Sequence, residues 1–382
     1  MSKTVENSLK IMSAGKRAAY GATPDMTKAG TTAIHISGTL ANDNYIVTYV
    51  GGTLTVTTRP SSGGGGGSSS GSGAAKTETT TNPDGSTSKT ETKADGSSVT
   101  ESTTANGSSG TVKTDENGKT EADAKISDKA IEDAKNSGEA VKVPTEVKAG
   151  KNPNSAPTVK IDLPRNAGET TVEIPVRDVS SGTVAVIVHE DGTEEIVKDS
   201  VPTEDGIRLT VSGSTTVKII DNAKDFIDTR DHWAKDSIDF VSARGLVNGI
   251  SDTLFAPNAS TTRVQLWTIL ARKDGADLTG GATWYEKAQA WSKLHGISDG
   301  TNPNGTITRA QMVAMLWRAA GSPQTQITLR FTDVAANNYY AQAVAWAVQQ
   351  GITTGTGDDK FSPNATCTRA QIATFLRRSY QK

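Results

Sequence analysis

Thr262-Arg263-Val264-Gln265, Thr308-Arg309-Ala310-Gln311 and Thr368-Arg369-Ala370-Gln371 are one short phrase written three times, and reading it decides the fold of the C-terminal part of the chain. Upstream of each copy an aromatic residue stands 12 positions before a glycine: Trp233 and Gly245, Trp284 and Gly296, Tyr339 and Gly351. A second glycine follows four residues later, at Gly249, Gly300 and Gly355, and a further aromatic lies seven past the first, at Phe240, Trp291 and Trp346. The spacing predicts a helix of about three turns that begins at each aromatic anchor. Gly245, Gly296 and Gly351 end it as left-handed cap residues, with Leu246, Ile297 and Ile352 closing the cap by apolar contact. A second helix begins at Thr262, Thr308 or Thr368, where Thr-x-x-Gln forms a capping box. Apolar residues then recur at helical spacing, as in Leu266, Ile269 and Leu270 or Ile372, Phe375 and Leu376.

The capping box accounts for Thr and Gln. It does not account for Arg at the first helical position of all three copies, because a cation there opposes the helix dipole. Two readings offset that penalty. An anion could sit against free N–H groups and the guanidinium together. Alternatively, each Arg bonds carbonyls of a neighbouring repeat. The helical phrase alone leaves both open.

Beyond these copies, Phe226-Ile227-Asp228, Phe331-Thr332-Asp333-Val334, the Gly-x3-Gly pairs, Phe255-Ala256-Pro257 and Phe361-Ser362-Pro363 complete a pattern that resembles tandem S-layer homology domains over residues 226–382. The resemblance divides the region into repeats at 226–274, 282–321 and 331–382. It implies an all-α, three-pronged helical bundle. The grooves between repeats would bind the pyruvylated secondary polysaccharide attached to peptidoglycan in Gram-positive-type walls. The site residues it carries over are Arg263, Arg309 and Arg369 with Gly249, Gly300 and Gly355. The anchors Trp233, Trp284 and Tyr339, and the carboxylates Asp228 and Asp333, line the same region. A pyruvate ketal presents a carboxylate, which suits the first of the two readings of Arg. The sequence departs from the family pattern in three ways. Gln stands for the usual Glu in every copy. Repeat two lacks Phe-x-Asp and runs three residues from Gly300 to Pro303, where the others run eight. Cys367 fills the slot of Thr261 and Ile307, a packing position, and reads as a buried thiol.

The rest of the 382-residue chain differs in kind. All six Trp and all six Phe lie after residue 225, so the densest core is C-terminal. Residues 226–382 carry 16 basic and 12 acidic side chains, whereas the whole chain is at -2. That balance offers no case for nucleic acid, and no window is apolar enough for a membrane span. One cysteine excludes an intrachain disulfide and a thiolate zinc cluster. Length predicts about two to three domains.

Residues 1–60 read as strands around Ile34–Ser37, Tyr45–Val50 and Thr53–Thr57, the last two joined by Gly51-Gly52 as a hairpin. The phrase from Ile36 to Thr57 resembles the end of an MBG-type immunoglobulin-like module of bacterial surface proteins. The opening residues show no export signal, so a fragment of a longer surface protein is expected. A Gly/Ser linker occupies 61–75. Over 76–124, Asp84-Gly85, Asp95-Gly96, Asn106-Gly107 and Asn117-Gly118 recur every 11 residues. This is either a thin up-and-down meander, polar on both faces, or a disordered tract, and in both cases a spacer. Residues 126–225 predict a short helix capped by Ser127, then five or six strands forming a small β-sandwich. His189-Glu190-Asp191 reads as a hairpin tip, because adjacent strand residues alternate faces and cannot converge on a metal.

The expected function is therefore non-catalytic anchoring to an anionic wall polymer, with no cofactor and with self-association in a surface layer as a further partner. An adhesin or S-layer subunit, or the anchor fragment of a surface enzyme, is the alternative.

Overall fold

The computed structural model describes residues 19–21, 30–37, 52–56, 76–326 and 330–380. The chain divides into two compact units, residues 1–71 and 72–382. The described part of the first is an antiparallel sheet of β1 (Ala19–Gly21), β2 (Gly30–Ser37) and β3 (Gly52–Val56), with β2 central. The Tyr45–Val50 run and Gly51 of the expected hairpin lie outside the described residues.

In the second unit the 11-residue period forms the meander. Strands β4 (Lys76–Thr81), β5 (Thr87–Thr92), β6 (Ser98–Thr103), β7 (Ser109–Thr114) and β8 (Thr120–Lys125) pair antiparallel in chain order. Each turn repeats one geometry. Gly85 N–H donates to Asn82 O at 3.0 Å, and Asn82 N–H donates to Ser86 O at 2.8 Å. Gly85, Gly96, Gly107 and Gly118 take φ of +83° to +86° while the Asp or Asn before each does not, so these are three-residue bulged turns and not two-residue primed turns. The Asp84 and Asp95 carboxylates each accept the N–H and hydroxyl of the serine two residues on. Those bonds hold both carboxyls below the ordinary aspartate range.

The meander is no detached spacer. Strand β8 pairs parallel with β11 (Thr158–Asp162), and one nine-stranded sheet runs from the meander into the sandwich. Its far half is β17 (Ser214–Asp221), β13 (Thr183–Val188) and β14 (Glu194–Ile196). That continuity explains how a strand such as β4, exposed at every residue, keeps its order: the template is β8, where Ala122 and Ala124 are buried. The polar-on-both-faces expectation thus holds at β4 and fails at β7 and β8. A side chain at Gly110 would meet the Pro144 carbonyl at 2.1 Å.

The facing sheet is centred on β12 (Thr170–Arg177), which pairs with β9 (Val141–Lys142), β10 (Val147–Lys148) and β16 (Gly206–Val211); β15 (Val201–Pro202) flanks β16. Between the sheets Val159, Ile161, Val172, Ile174, Ile207, Val217 and Ile219 are wholly buried. Helix α1 (Asp128–Ser137) starts at Ser127, whose Oγ accepts Ala130 N–H at 3.0 Å, and stops at left-handed Gly138. His189 sits at the β13–β14 turn, as expected, 3.4 Å from Glu195.

The C-terminal region is helical: α2 (Lys235–Ala243), α3 (Arg263–Lys273), α4 (Glu286–Leu294), α5 (Arg309–Ala319), α6 (Ala341–Gln349) and α7 (Arg369–Tyr380). The main helix pairs cross the repeat boundaries: α3 packs on α4, α5 on α6, and α7 returns to α2. At the centre, Ile307 N–H donates to Thr261 O (2.8 Å), Cys367 N–H to Ile307 O (2.9 Å) and Thr261 N–H to Cys367 O (3.2 Å). These three bonds close a ring. The residues in it are buried, and burial pushes the Cys367 thiol up to about 12, so it is an inert packing group as expected.

Arg244, unremarkable in sequence, joins the two layers of the second unit. Its guanidinium is buried and donates to Ser200 O (2.7 and 2.9 Å), Thr183 O (2.9 Å) and Phe240 O (3.1 Å), lying 3.8 Å over the Phe240 ring. Desolvation lowers it to about 9, which leaves a cation at neutral pH. Replacing Arg244 with Ala should strand the Ser200 and Thr183 carbonyls and lower stability by about 3 kcal/mol in a thermal or denaturant melt. Lys should rescue little, because one ammonium cannot span the same fork of carbonyls.

Candidate functional site

Each second helix begins with a complete capping box. Thr262 Oγ1 accepts Gln265 N–H while Gln265 Oε1 accepts Thr262 N–H (2.9 Å), and the same exchange links Thr308 with Gln311 and Thr368 with Gln371. Gln acts here as an acceptor, so its replacement of Glu leaves the fold intact. Each first helix ends as the pattern predicts. Gly245, Gly296 and Gly351 take φ of +65° to +67°, and the next residue donates back five positions, as in Leu246 N–H to Val241 O at 2.9 Å.

The three arginines resolve the two readings in part. Their backbone N–H groups are not free. Arg263 donates to Gly305 O, Arg309 to Ala365 O and Arg369 to Ala259 O, each at 2.9 Å, and the next residue donates to Pro303, Pro363 or Pro257. The guanidinium Nε groups follow suit, to Thr301 O (2.9 Å), Phe361 O (2.8 Å) and Phe255 O (2.8 Å). Carbonyls of the adjoining repeat thus offset the unfavourable dipole, as the second of the two readings has it. The remaining donors differ: Arg263 Nη2 reaches Ser298 Oγ (2.9 Å) and Asp299 (2.8 Å), Arg309 Nη2 reaches Thr353 Oγ1 (3.5 Å), and Arg369 Nη2 reaches Asn248 O (2.6 Å). Burial lowers Arg309 and Arg369 from the ordinary arginine value.

Asp228 and Asp333 are loop clamps. Asp228 accepts Phe255 N–H (2.9 Å) and Ala256 N–H (2.7 Å), and Asp333 accepts Phe361 and Ser362 N–H (both 2.8 Å). The clamped residues Ala256 and Ser362 carry φ of +57° and +58°; in repeat two the same place before Pro303 is Asn302, at +48°, a residue that tolerates that conformation without a clamp. The loop glycines are there for space. A Cβ on Gly249 would lie 2.5 Å from the Phe226 ring, one on Gly355 2.5 Å from the Phe331 ring, and one on Gly300 2.2 Å from Lys293.

The anchors are different in kind. Trp233, Trp284 and Tyr339 are 66%, 65% and 63% exposed, although aromatic area of this size is ordinarily buried. They stand at equivalent points just ahead of α2, α4 and α6. Partial desolvation and Tyr340 push the Tyr339 phenol up, while Arg318 and Arg263 act the other way.

Two sets of residues escaped the sequence reading. Arg318 Nη1 donates to Ile297 O (3.0 Å) and Arg378 Nη1 to Ile352 O (3.2 Å), tying α5 and α7 to the ends of α4 and α6. The signal was present, since Arg272, Arg318 and Arg378 all fall nine residues after the repeated Arg. The other is Asp299. Among the described residues, no cluster of His, Cys, Asp and Glu is disposed to hold a metal, and no helix is long and apolar enough to cross a membrane.

Residues 225–266 and 330–373 match the S-layer homology domain. The C-terminal region carries S-layer homology domains. The S-layer protein sap of Bacillus anthracis is 31% identical over 171 residues, 39% of this chain and 20% of that protein. Amylopullulanase of Thermoanaerobacterium thermosulfurigenes is 31% identical over 173 residues, 40% of this chain and 9% of the enzyme. Exoglucanase XynX of Acetivibrio thermocellus is 30% identical over 171 residues, 40% of this chain and 16% of the enzyme. The chain therefore spans a fifth or less of these relatives. The two matched S-layer homology segments are the copies that retain Phe-x-Asp and the long loop. Residues 282–321, with the short loop, carry the same capping box and cap glycine outside the match.

Because Gln serves only as an acceptor, restoring Glu at 265, 311 and 371 together should leave the melting midpoint unchanged or slightly raised, by at most about 1 kcal/mol, since Glu also favours the helix N-terminus.

Proposed function

We propose that this chain is an anchor, holding a surface protein to the bacterial cell wall by binding an anionic, pyruvylated secondary polysaccharide at the junctions of three S-layer homology repeats. The observation that carries the reading is the set of three exposed aromatic anchors, Trp233, Trp284 and Tyr339, repeated around a bundle whose junction arginines bear positive charge. A flat apolar ring left in water at three equivalent points suits stacking on the apolar faces of sugar rings, and a guanidinium suits the ketal carboxylate. Gly249, Gly300, Gly355, Asp228 and Asp333 act in this reading by shaping the loops that receive the arginines. Residues 282–321 serve as the middle repeat, and the bundle is three-pronged, one prong for each cross-repeat helix pair. The sandwich and meander carry the chain outward from the wall, and the protein is extracellular and wall-associated. Anchoring asks only for binding, so the reading is non-catalytic.

A second reading shares the anchor. The similarity to amylopullulanase and exoglucanase XynX favours a chain that tethers an enzyme, and the similarity to S-layer proteins favours a lattice subunit whose β modules contact each other.

Replacing the three anchors together (W233A, W284A and Y339A) tests the proposal without touching a buried group. Binding of the whole chain to purified wall sacculi should fall at least about tenfold, on the order of 0.5–1.5 kcal/mol for each lost aromatic contact, with an unchanged melting temperature. Undiminished binding would reject it.

A further inference from the structure

The three repeat-junction arginines share a backbone frame but differ in whether a ligand carboxylate can use their charge. The position before the loop glycine is Asn248 in repeat one, Asp299 in repeat two and Thr354 in repeat three. Asp299 therefore places a carboxylate 2.8 Å from Arg263 Nη2, in the junction built by the short loop. That carboxylate is fixed in place. It accepts Thr301 N–H (3.0 Å), Thr301 Oγ1–H (2.9 Å) and Ser298 Oγ–H (3.3 Å). Asp299 is itself 64% exposed at the side chain while Arg263 is 12% exposed, so an anion approaching this junction meets the aspartate first. Like charges repel at such range, and the guanidinium is already neutralised.

Arg309 is closed off differently. It is only 3% exposed, with the Phe361 and Phe375 rings 4.9 and 5.4 Å from the guanidinium carbon. Among the described residues Arg369 forms no ion pair with a carboxylate, and although burial lowers it too, it is not closed off as Arg309 is. It is half-buried, and its Nη2 bond to the Asn248 carbonyl lies at the surface. The nearby Asp228 has both oxygens engaged by the N–H groups of Phe255 and Ala256. The Phe255 ring, 4.5 Å away, backs the guanidinium on one side.

We infer that Arg369 is the single junction arginine open to an anionic saccharide, and that Asp299 acts as an internal counter-ion that withdraws Arg263 from anion binding. The inference rests on the anchoring proposal for its ligand class. It adds a specificity-determining residue, Asp299, and an order among junctions that otherwise look equivalent.

The experiment is calorimetric titration of the whole chain with a methyl hexoside bearing a 4,6-O-pyruvate ketal, with the methyl ester of the ketal as uncharged control. The wild type should bind one ligand per chain, and R369Q should lose it. D299N should gain a second, Arg263-dependent site, so that D299N combined with R263Q returns to one. Melting curves confirm that each variant is folded, and D299N alters a side chain that is 64% exposed. A D299N variant that binds as the wild type does, or an R369Q variant that keeps the wild-type site, would overturn the inference. No binding by the wild type with one site in D299N would reject the anchoring proposal and the assignment of Arg369 while upholding the role of Asp299. No binding by either would overturn both.

Discussion

Three backbone hydrogen bonds, joining Thr261, Ile307 and Cys367 head to tail, are the constraint on which the helical region depends. Each joining residue is the one just before a capping-box threonine. Closing the ring therefore sets where three helices start and how they diverge. It also explains why the helix pairs cross repeat boundaries. A helix that starts at the ring leans onto the first helix of the next repeat, and α7 can only complete the set by returning to α2. No repeat buries its apolar stripe alone, as is general for stacked repeats.

The same closure makes the arginines necessary to the architecture before they are available to a ligand. Each guanidinium spans the junction and holds the neighbouring loop by a carbonyl, while an aspartate holds that loop from its other side in repeats one and three. A junction assembled this way holds its cation in a fixed place, the preorganisation that the proposed binding would draw on. The aromatic anchors are left outside this network, at the surface, where they add contact area without supporting the fold. On the other side, Arg244 seats the bundle on a sandwich whose main sheet continues into the meander, so the region from β4 onward is one connected body.

How much of this could be read beforehand followed the range of the interaction. Cap glycines and capping boxes involve partners within five residues, and both were legible in Gly245 and Thr262, whereas Asp84-Gly85 announced a turn but not its bulged form. The strands of the sandwich were legible too, because alternation in runs such as Thr170–Arg177 is local. The clamp formed by Asp228 was not, since its partners lie 27 and 28 residues on. Arg244 was invisible for the same reason, its carbonyl partners being 44 and 61 residues away. For the repeated Arg, the helix-dipole argument posed the right question and could not choose the answer, which needed the loop of another repeat. The meander was undecided because its order is borrowed from β8 and β11 and not generated by its own composition.

The central claim is that the bundle recognises a charged wall polymer and not the peptidoglycan beneath it. Co-sedimentation of the whole chain with purified sacculi, before and after selective removal of the pyruvate ketals from the secondary polymer, tests it most directly. The account predicts binding to intact sacculi that disappears when the ketals are removed. Binding that survives their removal would contradict it.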